Sequence, residues 1–68
     1  MENFGDKIKE MRKAKNLNIY DLSLRSGLSQ VEISQIENSK RKPRMLTVKK
    51  IAEALECDFE TLYHIIYK

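Results

Sequence analysis

The chain has 68 residues, 41% hydrophobic and 34% charged, with a net charge of +3; this makes one small domain with a core near the lower limit for folding alone and no room for a deep substrate cleft. A single cysteine, Cys57, excludes a disulfide framework and a thiolate pair for zinc. The opening Met1-Glu2-Asn3-Phe4-Gly5-Asp6 has no apolar signal core, and no segment is long and apolar enough to span a bilayer, so a cytoplasmic protein without a membrane partner is expected.

From about Phe4 to Lys15, the apolar residues Phe4, Ile8 and Met11 recur at helical spacing while Lys7, Lys9, Glu10 and Lys13 face outward. This predicts a first helix that ends at Asn16 and is closed by Leu17. Asn18 then stands three residues before Asp21, with Leu17 and Leu22 placed as a hydrophobic staple, and predicts the start of a second helix. Gly27 accepts a positive φ without a Cβ penalty, so it ends that helix and turns the chain. Ser29 and Glu32 form a capping box for a third helix, with Leu28 and Ile33 as its staple. Two short helices joined by a glycine turn, over about residues 18–38, spell a helix-turn-helix.

At about 100° per residue, Gln30, Val31, Ser34, Gln35 and Asn38 share one arc of the third helix. Ile33 and Ile36 lie opposite, with Glu37 at the margin. The outer arc is mostly amide and hydroxyl in a chain one-third charged, and glutamine amides match the N6 and N7 edge of adenine. Val31 suits a thymine methyl, and Ser34 is permissive. Such a face can read base edges in a major groove; a solvated polar face is the plainer alternative. The basic run Ser39-Lys40-Arg41-Lys42-Pro43-Arg44, followed by Lys49 and Lys50, favours the DNA reading, because phosphates are met by Lys and Arg placed beside a reading helix.

Pro43 excludes helix at Lys42 and predicts a fourth helix from Arg44 or Met45. Met45, Val48, Ile51, Ala52 and Leu55 supply its inward stripe, and Leu46 falls off it. Asp58 caps a fifth helix over about residues 59–67 that buries Phe59, Leu62 and Ile66, with Cys57 packed before it as a small hydrophobe. That helix carries more apolar surface than one small core uses. A homodimer contact through Tyr63, Ile65, Ile66 and Tyr67 is therefore expected, with a frayed chain end as the alternative. His64 reads as a surface histidine, and neither it nor Cys57 has partners at metal-binding or catalytic spacing.

These residues resemble the Cro and phage-repressor-like helix-turn-helix family, also called the xenobiotic-response-element (XRE) family. The likeness runs from Ile8 to Leu62 through I-K-E-M-R-K, D-L-S-L-R-S-G-L-S, S-Q-I-E-N, K-R-K-P and I-A-E-A-L. It implies an all-α, compact, lambda-repressor-like domain of five helices over residues 1–68, whose third helix enters the major groove. It assigns base contacts to Gln30, Val31, Ser34 and Gln35, and phosphate contacts to Asn38, Lys40, Arg41 and Arg44. It also implies a structural ion pair between Arg12 and Glu37. Two positions depart from the family pattern. Ile19 stands where a phosphate-binding glutamine is frequent, with Tyr20 able to donate in its place. Ser39 stands where glycine often forms a left-handed cap.

The expected function is a sequence-specific transcriptional regulator, repressor-like, that binds an inverted repeat of double-stranded DNA as a homodimer. It needs no cofactor, metal or small-molecule substrate, and no enzyme activity is expected. The second reading is a protein-interaction module, such as an antitoxin that engages a protein partner through its C-terminal helix.

Overall fold

Asn3, Asn18, Ser29 and Asp58 each stand one residue before a helix and accept a hydrogen bond from the backbone N–H three residues on, that of Asp6, Asp21, Glu32 and Thr61. In this way four helix starts are specified by local chemistry. The protein, described over residues 3–67 in a computed structural model, has the helices α1 (Phe4–Ala14), α2 (Ile19–Ser26), α3 (Gln30–Glu37), α4 (Met45–Ala54) and α5 (Phe59–Tyr67). The reciprocal capping boxes expected at Asn18 and Ser29 are both formed. Only α4 starts without a side-chain cap, at Arg44.

The helix ends are equally local. Gly27 takes φ 76° and closes α2, while Asn16, Ser39 and Glu56 take φ near 60° at the ends of α1, α3 and α4. After α3, the Ser39 N–H reaches the Ile36 carbonyl and the Lys40 N–H the Gln35 carbonyl, the two bonds of a Schellman cap. Ser39 thus makes the turn glycine usually makes, at a modest strain.

Ile8, Leu22, Ile33, Ile36, Val48, Ile51, Leu55 and Leu62 form the most deeply buried part of the core, drawn from all five helices. α3 packs on α1 and α2, α4 packs on α2 and α5, and α1 also touches α5. The inner side of α3 is thereby held, and its outer side is left to solvent. Three expectations change. Met45 is 56% exposed, because it begins α4 beside the basic loop and the inward stripe starts at Val48. Phe4, Met11 and Phe59 pack against the core while remaining half-buried. Ile66 follows Leu62 by one turn and is only 4% exposed, so it belongs to its own chain's core and is unavailable to a dimer contact.

Candidate nucleic-acid interface

The inner side of α3 is locked by charge as well as by apolar packing. Arg12 on α1 holds Glu37 through two bonds, Nε to Oε2 at 2.7 Å and Nη2 to Oε1 at 3.0 Å, and its Nη1 donates to the Leu17 carbonyl at 2.8 Å. Both side chains are almost wholly buried. Among the described residues, no buried side-chain nitrogen or oxygen lacks a partner, as burial of such a pair requires. The implied Arg12–Glu37 pair is present, and it fixes the end of α3 nearest the basic loop.

On the outer side, Gln30, Val31 and Gln35 are exposed and Ser34 is half-buried. Asn38, the C-cap, is also exposed and donates from Nδ2 to Ser34 Oγ at 3.5 Å. The one acid of the first turn, Glu32, is folded back onto the Ser29 amide, so its charge serves the cap. What α3 offers to solvent is therefore a neutral, hydrogen-bonding face with a methyl-bearing Val31.

Lys40, Arg41 and Arg44 lie exposed in the loop after α3. Arg41, Lys42 and Arg44 line a cavity of about 390 Å³ together with Glu32, Ile36, Pro43 and Thr47, between α3 and the start of α4. Arg41 Nη1 also donates to Gln35 Oε1 at 3.4 Å, which joins a residue assigned to phosphate with one assigned to a base. Tyr20, in the first turn of α2, is 55% exposed and free to reach outward, while Ile19 packs against the core. The unusual Ile19 thus has a packing role.

Other contacts were out of reach of sequence reasoning. The Tyr67 hydroxyl donates to the Pro43 carbonyl at 2.6 Å, and Lys42 Nζ sits 5.1 Å from the centre of the Tyr67 ring. The i, i+4 spacing of Tyr63 and Tyr67 is visible in the chain, but their attachment to a loop 24 residues away is tertiary. Leu24 and Leu46 are well exposed and take no part in the core. Lys15 meets Glu56 at 2.9 Å across the surface, and this contact lowers the Glu56 carboxyl below its ordinary value. Among the described residues, no cluster of His, Cys, Asp or Glu is placed to hold a metal ion, and no helix is long and apolar enough to cross a membrane.

The model of the Helix-turn-helix family matches residues 8–62, the span that contains α2, Gly27, α3 and the basic loop. The chain belongs to this family. Helix-turn-helix relatives include the transcriptional repressor RghR of Bacillus subtilis, 42% identical over 65 residues, with 94% of this chain and 48% of RghR covered. The uncharacterized helix-turn-helix-type transcriptional regulator RghRB of the same organism is 41% identical over 63 residues, covering 91% of this chain and 45% of RghRB. The chain thus spans about half the length of these two relatives. Its fold is similar to that of the restriction-modification controller protein C.AhdI from Aeromonas hydrophila, with a TM-score of 0.83, 30% identity, and 87% of this chain and 89% of that one covered.

Proposed function

We propose that this chain is a repressor-like, sequence-specific DNA-binding transcriptional regulator that acts in the cytoplasm on an inverted-repeat operator. One observation carries the reading. The exposed arc of Gln30, Val31 and Gln35 runs directly into the basic loop of Lys40, Arg41 and Arg44, on a helix whose other side is clamped by Arg12 and Glu37. A neutral amide face for base edges and adjacent cations for phosphates is the division of labour that sequence-specific binding requires. In this reading Gln30, Val31, Ser34 and Gln35 meet bases, and Tyr20, Asn38, Lys40, Arg41 and Arg44 meet phosphates. The similarity to the repressor RghR supports repression over activation.

The same reading makes the active form a homodimer joined through the outer face of α5, where Tyr63, Ile65 and Tyr67 remain partly accessible. Two recognition helices must then sit roughly 34 Å apart, one DNA turn, to enter successive major grooves. Selection of bound fragments from random duplex DNA should return an inverted repeat with half-site centres about ten base pairs apart, and sedimentation should give a dimer at micromolar concentration. Recovery of no preferred duplex would overturn the DNA reading in favour of a protein-interaction module. A monomer that still selects a single half-site would overturn the dimer alone.

A further inference from the structure

We infer that Tyr67 is a positioning residue for the basic loop, holding residues 40–44 in the shape that meets DNA phosphates. This inference rests on the DNA-binding reading above and gives Tyr67 a task distinct from the dimer contact.

The backbone of the loop between α3 and α4 is held at three places. At its start, the Ser39 and Lys40 amides turn back onto α3, and at its end the Arg44 carbonyl receives the Val48 amide inside α4. Between these anchors stands Pro43, which has no N–H to offer, and whose carbonyl is taken by the Tyr67 hydroxyl at 2.6 Å. The Tyr67 ring is itself fixed. It stacks on Tyr63 with centroids 5.1 Å apart, and Tyr63 lies 5.7 Å from Phe59, so a row of three rings runs along α5. Lysines stand over both ends of that row, Lys42 over Tyr67 and Lys49 over Phe59. The middle of the loop is thus hung from a braced aromatic row through one hydrogen bond and one cation–π contact.

The consequence is for binding more than for stability. A loop already held in its bound shape loses less conformational freedom on meeting DNA, so its cations act at lower entropic cost. The number of phosphates touched in the complex depends on Lys40, Arg41 and Arg44 themselves and is the same whether or not the free loop is ordered.

Tyr67→Phe removes the hydroxyl and leaves the ring for stacking, for Lys42 and for any dimer contact. Backbone order parameters of residues 40–44 in the free protein should fall from about 0.85 towards 0.6 while the helices stay unchanged. Affinity at fixed salt should fall about three- to ten-fold, equally for selected and unrelated duplexes, with the salt slope and the sedimentation profile those of the parent. Unchanged order parameters overturn the anchor. A loosened loop with parental affinity, or a loss of affinity accompanied by a shallower salt slope or a weaker dimer, overturns the positioning role. A parent protein without salt-dependent duplex binding overturns the function proposed above together with this role, and it is recognised before the variant is made.

Discussion

The amide of Gly5 donates to Ser39 Oγ at 3.3 Å, so the first turn of α1 lies directly on the C-terminal end of α3. A Cβ at residue 5 would fall on the Glu37 carbonyl, which is backbone and cannot swing aside. In a free helix, Gly to Ala gains about 1 kcal/mol. Here the sign reverses, because forcing two packed backbones apart costs about 1–3 kcal/mol. Gly5→Ala should therefore lower the thermal midpoint, and a midpoint equal to or above the parent's would show that α1 does not approach α3 this closely.

Arg12 and Glu37 are buried together, which makes the effect of losing one depend on what becomes of the other. Glu37→Gln leaves a buried guanidinium without its counter-charge and should cost about 3–5 kcal/mol, a large fraction of the stability of any small domain. Replacing both, as Arg12→Met with Glu37→Leu, removes both desolvated charges and should recover most of that loss. Urea denaturation of the two variants checks this. A double variant no more stable than Glu37→Gln would mean that the Arg12 bond to the Leu17 carbonyl, not the ion pair, is what α1 contributes.

The parts of this fold that could be read from the chain are those decided within four residues. Asn18 with Asp21, Ser29 with Glu32, and Gly27 between them define α2, the turn and α3 by bonds that span three or four positions, and the structure contains each of them. The outer arc of α3 was legible for the same reason, since angular position on one helix needs no knowledge of its neighbours. Ile66 shows where that reasoning ends: surplus apolar residues on α5 suggested a contact, but only the placement of α5 against α1 and α4 decides which of them the core absorbs. Gly5 against Glu37 and Tyr67 against Pro43 are of the same kind, set by the approach of segments distant in sequence. Arg12 and Glu37 stand between the two cases, because a glutamate at the edge of a buried stripe signals a cationic partner without naming it.

Cys57 sits between α4 and α5, half-buried, and burial pushes its thiol above the ordinary value, with Asp58 adding to the rise and Lys15 opposing it. A raised thiol pKa means less thiolate near neutral pH, and the thiolate is the reactive form. Alkylation by iodoacetamide at pH 7.5 should be slower for the folded chain than for the chain in urea, and its rate should rise with pH later than that of a free thiol. Equal rates in the two states would mean that the thiol is neither shielded nor shifted.

Arg41 borders the proposed base-reading face and touches Gln35, yet the function proposed above gives it, by its charge and its place in the loop, a phosphate contact. Arg41→Ala should lower affinity about equally for operator and unrelated duplex. The slope of log affinity against log salt should become shallower by about one unit for the one lost contact. Loss of sequence preference at constant slope would instead make Arg41 a reader of bases.

Gln35 gives the sharpest test of the proposed function, because the structure leaves it exposed one turn beyond Val31 with its Oε1 towards Arg41 and the rest of the amide open to solvent. An amide in a major groove can donate and accept at once, so Gln35→Ala should cost about 1–3 kcal/mol on the selected operator and relax preference at one base pair in each half-site. Binding to unrelated duplex should change little, since that affinity comes from phosphates. The fold should persist: alanine is the best helix former, the buried Ile33 and Ile36 are untouched, and the bond given up to Arg41 is long and solvent-exposed. Paired titrations on operator and unrelated DNA, with circular dichroism as the control for folding, separate the outcomes. A folded variant that binds its operator as tightly and as selectively as the parent would remove sequence reading from this face of α3, and with it the strongest support for a DNA-binding regulator over a protein-interaction module.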